Sequence, residues 1–231
     1  MRKIIAAAAA SAGLLTFGLG ATAAQGAVSA HPDATTQCGS GCTNWHAAGN
    51  EYNTGMKVIL AGQAPGATLT GAPSGTPVIS RIASTTAWRE DFTDADVGKV
   101  RRLVRAGLLP TGTYVDINYG GQKAFQIQYT PDGRTTNMCV GTMGSATNGA
   151  KVVLVPCGKS DTFWVVDKTG PTTTPGSYHA LLPATGQNTS NPLALQAPSA
   201  VGDQLKVSYE AVSGPNLSEA YGFYKTTGTS F

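Results

Sequence analysis

Apolar residues in this chain fall in short runs, and several alternate with polar ones at a period of two. Met56-Lys57-Val58-Ile59-Leu60, Phe125-Gln126-Ile127-Gln128-Tyr129, Lys151-Val152-Val153-Leu154-Val155 and Gln204-Leu205-Lys206-Val207-Ser208-Tyr209 are the clearest. Successive side chains of a strand point to opposite faces, so this spacing predicts strands, and the Val, Ile and aromatic content reinforces it. Turn formers such as Pro131-Asp132-Gly133 and Asn148-Gly149 separate the runs. Many short strands punctuated in this way predict an all-β domain.

The runs group into three blocks of four. The first holds Met56–Leu60, Ala67–Thr70, Pro77–Ile82 and Ala87–Glu90. The second holds Ala124–Tyr129, Asn137–Thr142, Lys151–Val155 and Phe163–Val166. The third holds Tyr178–Leu182, Leu193–Ala197, Gln204–Tyr209 and Phe223–Lys225. Each block closes on an aromatic residue: Trp88, Trp164 and Phe223-Tyr224. No block has enough apolar residues to bury a face alone, whereas three around a pseudo-threefold axis can share one core. The expectation is a β-trefoil over residues 51–231, with an irregular β-sandwich as the competing arrangement.

One segment departs from the pattern. Thr93 to Pro110 reads TDADVGKVRRLVRAGLLP. Thr93 is a candidate N-cap, with Asp94 and Asp96 in the first turn, Gly107 as a stop and Pro110 beyond it. Val97, Val100, Leu103 and Val104 would then share a face. Gly98 weakens a helix by about 1 kcal/mol relative to alanine, so a strand beside a long loop is the other reading of residues 93–107. Lys99, Arg101, Arg102 and Arg105 read as a solvated face, with a site for an acidic partner as the sharper alternative.

The N-terminus carries a different pattern. Met1-Arg2-Lys3 is followed by an apolar, uncharged stretch from Ile4 to Gly20 and then by small residues, with Ala21-Thr22-Ala23 and Val28-Ser29-Ala30 as cleavage patterns. This layout is that of a secretory signal peptide over residues 1–30. A membrane anchor needs roughly 20 apolar residues, but here alanine and glycine dominate and no basic stop-transfer cluster follows. The expected product is secreted, with residues 31–50 an N-terminal segment and no later membrane span. Without Arg2 and Lys3 the chain has 14 basic and 13 acidic residues, so its net charge falls from +3 to +1. That balance offers no footprint for nucleic acid.

Export also sets how the cysteines read. Cys38, Cys42, Cys139 and Cys157 are four, all beyond the signal. In an oxidising compartment an even set forms disulfides. Four cysteines allow three pairings, and proximity in sequence favours Cys38–Cys42 with Cys139–Cys157. Zinc is disfavoured, because Cys-Gly-Ser-Gly-Cys is not a CxxC pair and His31, His46 and His179 show no matching spacing. No cofactor is expected.

The second block resembles a ricin-B-type lectin repeat. The residues that carry the likeness are Cys139-Val140, Asn148-Gly149, the run Lys151 to Val155 with Pro156-Cys157, and Phe163-Trp164. It covers about 30 residues, within 137–166, and extends weakly to 52–92 and 177–225. The resemblance implies a trefoil fold, a Cys139–Cys157 disulfide within the lobe, and carbohydrate binding. In such lobes an aromatic ring stacks on the sugar while a carboxylate and an amide bond its hydroxyls. This chain departs at those groups. Gly141 stands where the family has aspartate, Val155 where it has an aromatic, and Asp161-Thr162 where it has Asn-Gln. Each lost partner of a sugar hydroxyl costs on the order of 1–3 kcal/mol, so the usual site is expected to be missing from this lobe.

Elsewhere the candidate sugar contacts are Asp132, Asn137 and Tyr209. Gln63, Arg81 and Trp88 in the first block, and Gln187, Asn188, Asn191, Gln196 and Asp203 in the third, are polar or aromatic but not in the family's order. Trp88 reads better as core, and Asp132 and Asn137 have turn chemistry as their simpler role. Catalysis is not expected, since the chain has no GxSxG elbow and no HExxH. The leading expectation is a secreted trefoil that binds a glycan or cell-wall polymer. The alternative is a protein-interaction scaffold, such as a trefoil protease inhibitor presenting 92–122 or 211–222 to a secreted partner. A structural envelope protein is a third reading.

Overall fold

In a computed structural model, residues 44–47, 56–64, 69–82, 91–131, 134–167, 179–186, 190–196, 198, 200–209, 220–225 and 228–229 are described. The first four strands are β1 (Asn44–Ala47), β2 (Met56–Leu60), β3 (Val78–Ile82) and β4 (Phe92–Lys99). Two short helices follow, α1 (Val100–Arg105) and α2 (Tyr114–Tyr119). The second lobe is β5 (Lys123–Tyr129), β6 (Met138–Thr142), β7 (Val152–Pro156) and β8 (Trp164–Asp167). The third is β9 (His179–Pro183), β10 (Leu193–Gln196), β11 (Lys206–Tyr209) and β12 (Ala220–Lys225), with β13 (Gly228–Thr229) folded back on β12.

The pairing is antiparallel throughout. One path of strands runs β4–β5–β8–β9–β12–β1. Each lobe adds a hairpin: β2–β3, β6–β7 and β10–β11. The three hairpins meet pairwise through the bridges Pro77–Val153, Ile79–Gln204 and Lys151–Lys206. Across these joints Leu154 N donates to Thr76 O, Val152 N to Leu205 O and Leu205 N to Val78 O, each at 2.9 Å. A sandwich would stack hairpins in two layers. Here each hairpin touches both others, which is the β-trefoil arrangement the three blocks predict.

Apolar residues fill two regions. The central core gathers Leu60, Val78, Phe92, Ile127, Tyr129, Val140, Leu154, Trp164, Leu181, Leu195, Leu205 and Val207 from all three lobes. A second cluster joins Val97, Val100, Leu103, Leu109, Val115 and Tyr119 to Ala124, Phe163, Val165, Leu182 and Ala194. Strand alternation explains the division. On β8 Trp164 and Val166 face the central core and Val165 the second; on β9 Leu181 and Leu182 divide likewise. The insertion between β4 and β5 therefore covers the outer face of strands whose inner face lines the trefoil. Strands buried on both faces read as near-continuous apolar runs.

The segment from Thr93 is strand first and helix second. Thr93, Asp94 and Asp96 lie in β4, opposite Gln128, Ile127 and Phe125 of β5. Gly98, with φ of 113°, sits at a bulge where its amide bonds Asp96 Oδ1 at 2.9 Å. The helix starts only at Val100, so Thr93 does not cap it. Its end matches expectation. Gly107 has φ of 71°, its amide donates to Val104 O, and Leu108 N donates to Leu103 O, the paired bonds of a Schellman motif. The fourth strand of the first lobe is thus β4, and residues 69 and 70 form a loop and turn rather than the expected strand. Ala87–Glu90 lies outside the described residues.

Candidate functional site

In the second lobe the disulfide pairs Cys139 with Cys157, Cα atoms 4.9 Å apart, as sequence proximity and the resemblance both predicted. It ties the start of β6 to the end of β7. Cys38 and Cys42 lie outside the described residues. Two residues after Cys139, Gly141 is paired with Val153. A Cβ at Gly141 would stand 2.4 Å from the Asp161 carbonyl oxygen and 2.9 Å from Val155 Cγ2. No carboxylate-bearing side chain fits there unless the backbone moves.

The other departures are equally structural. Val155 is buried. Asp161 and Thr162 form a short 3-10 turn over Ser160–Thr162. Buried Thr162 donates its hydroxyl to Lys159 O and meets the Gln126 amide. Trp164 is fully buried, and its Nε1 donates to Val140 O at 2.9 Å. These residues hold the lobe together: the disulfide and Trp164 brace it, and Val155 and Thr162 are packed into it.

Beside this turn lies an open cleft of about 960 Å³. Ala106, Gly107 and Leu108 at the end of α1 form one wall. Gly144 and Ser145, with the stretch Cys157 to Asp161, form the other. Gly107, Gly144 and Gly158 all have positive φ, so each wall turns sharply on a residue without a side chain. Asp161 Oδ2 accepts from Gly144 N at 3.0 Å and fastens the two loops of the second wall. Its Oδ1 is buried with no hydrogen-bond partner among the described residues. Among the described residues, no aromatic side chain lines the cleft.

The rim is basic. Arg101, Arg102 and Arg105 are exposed on α1, within about 100° of one another at 100° per residue. Lys159, exposed, belongs to the opposite wall. None of the four has an acidic partner among the described residues, whereas Lys123 is paired with Asp96 at 2.5 Å. Two large apolar side chains near these elements also face solvent: Ile117 on α2 at 63% exposure and Met143, beside Gly144, at 77%.

Of the sequence-derived sugar contacts, the two that are described, Asn137 and Tyr209, lie apart. Asn137 is exposed at the base of the β6–β7 hairpin, where its carbonyl accepts from Cys157 N. Tyr209, 46% exposed, ends β11 and bonds through its amide to Asn148 Oδ1, at the tip of that hairpin. Five-residue strands separate base from tip by roughly 16 Å. Asp132, Trp88, Gln187 and Asn188 lie outside the described residues. Gln63 is buried and bonds Asp91 at 3.2 Å, and the Arg81 guanidinium packs over Gly202. Among the described residues, no group of three His, Cys, Asp or Glu could hold a metal ion, and no helix is long and apolar enough to cross a membrane. The cleft itself has no motif in the sequence. Its nearest signal is the turn chemistry of Gly158-Lys159-Ser160-Asp161, which could only announce a loop.

No protein family and no curated protein matches the chain. Among solved structures it is similar to a designed 3-fold symmetric protein, ThreeFoil, with 11% identity and a TM-score of 0.43, over 78% of this chain and 96% of that one.

Proposed function

We propose that this protein is an exported, non-enzymatic binding module that engages another protein through the face built by α1, α2 and the adjoining cleft. The observation that carries the reading is Gly141. Where a ricin-B-type lobe would place its sugar-binding carboxylate, the Asp161 carbonyl leaves no room for a side chain. The neighbouring surface instead offers exposed arginines, exposed Ile117 and Met143, and a cleft with no aromatic platform among its described lining residues. Tyr, Trp, Met and Arg enrich protein interfaces, whereas a shallow sugar site depends on a ring and a few aimed polar groups. A trefoil scaffold alone would be fold-level analogy.

The test sets the protein against a glycan array and against a panel of secreted proteases and other exported proteins in calorimetric titrations. The expected result is no glycan signal and a stoichiometric protein complex that weakens on replacing Ile117 and Met143 with Ser. A glycan signal with no protein complex overturns the reading. The glycan reading retains one specific support, the half-exposed ring of Tyr209 next to Asn148. If it holds, Tyr209→Ala abolishes the array signal.

A further inference from the structure

We infer that the cleft between the end of α1 and the Cys157–Asp161 turn receives an acidic polypeptide segment, whose carboxylates are held by Arg102, Arg105 and Lys159. The inference rests on the protein-binding reading above and names the partner's chemistry.

Three observations converge. The first is uncompensated charge. The chain is nearly neutral beyond residue 30, with 14 basic and 13 acidic residues, yet Arg101, Arg102 and Arg105 crowd one short helix face with no acidic partner among the described residues. Asp161, the one acid among the described residues lining the cleft, is turned to its own loop through Gly144 N and keeps its other oxygen buried. It therefore does not offer that buried oxygen to the guanidinium groups.

The second is placement. Arg105 directly precedes the wall formed by Ala106, Gly107 and Leu108, and Lys159 belongs to the wall opposite. Lys159 thus lines one wall, and the arginines sit on the helix that runs into the other. A guanidinium meets a carboxylate through two parallel N–H···O bonds, while an ammonium acts as a compact charge. An entering acidic side chain can be gripped on one side and neutralised on the other.

The third is the lining. Gly107, Gly144, Ser145 and Gly158 leave the walls low and rich in accessible backbone. Leu108 supplies the apolar contact. A volume of about 960 Å³ suits a few residues of extended chain. The described walls carry no aromatic ring on which a sugar could stack.

The experiment selects a random twelve-residue phage-displayed library on the immobilised protein and measures the enriched peptides by fluorescence anisotropy. The expected consensus is rich in Asp and Glu. Its affinity should fall roughly tenfold or more in the Arg102→Ala/Arg105→Ala variant, as loss of charged hydrogen bonds implies. Lys159→Ala should weaken it separately, and amide resonances of Gly107, Gly144 and Gly158 should shift on titration. Circular dichroism of each variant establishes that it is folded. A consensus without acidic residues overturns the inference. So does an acidic consensus that binds the double variant undiminished, or inorganic polyphosphate displacing the peptide at equal charge. If a protein complex forms and is indifferent to both variants, this inference fails while the protein-binding reading stands. If only glycans bind, both fail.

Discussion

The central core and the cluster beneath α1 and α2 are built from the same strands and obey different rules. The central core is assembled three times over, one hairpin per lobe, and each hairpin's backbone is completed by the other two. The second cluster is assembled once, by an insertion that lies against the outer faces of β5, β8, β9 and β10. The repeated region leaves little freedom to its side chains, because every lobe must satisfy two neighbours. The single region answers only to itself, and it carries the exposed arginines and one wall of the cleft. The symmetric part makes the molecule stable, and the asymmetric part gives it an individual surface.

Substitutions can break this comparison. The largest expected effect is that of Trp164→Ala, which empties the middle of the central core and removes the bond to Val140 O. It should cost about 3–5 kcal/mol, read as a lower urea midpoint with loss of hydrogen-exchange protection in all lobes together. Leu103→Ala acts on the second cluster. Its cost should be about 2–3 kcal/mol, and exchange protection should fall over 100–119 while β6 and β7 stay protected. Uniform loss across the chain would show that the two regions are one cooperative unit.

Gly141→Ala probes the joint between them, because its Cβ would press on the Asp161 carbonyl. Overpacking of this kind costs about 1–3 kcal/mol, measured by thermal unfolding, and amide shifts should spread from the 3-10 turn into the cleft wall. An alanine tolerated without change would reopen this lobe to sugar contacts. The smallest effect is expected from Gly107→Ala, which forces a Cβ into left-handed backbone for about 1–2 kcal/mol. It should loosen the end of α1 and perturb the cleft with the trefoil untouched.

The sequence discloses these regions unequally, for physical reasons. Strand runs such as Lys151–Val155 are legible because side-chain alternation and burial leave their mark on each residue. Three repetitions then make the trefoil legible although no single lobe is. The helix stop at Gly107 is visible because positive φ favours glycine. The helix start is not. Asp94 and Asp96 look like first-turn acids, and only the ladder with β5 and the bulge at Gly98 decide that they belong to a strand. Gly141 is legible as a departure from a sugar-binding pattern, but that a carbonyl fills its space is a tertiary fact. The cleft is hidden altogether. Its two walls come from segments about 40 to 50 residues apart in sequence, and glycine and serine mark each only as a turn.

The meeting of the three hairpins also governs how the chain comes into being. Val78 in the first lobe is bonded to Leu205 in the last, and Leu205 to Val152 in the middle one. A polypeptide emerging N-terminus first therefore cannot close this junction until its final hairpin is present, and pairings so distant in sequence form slowly. The first two lobes can bond each other through Leu154 N and Thr76 O, but their joints to the third stay open until it arrives. Closure of the whole junction is thereby tied to the arrival of the last hairpin.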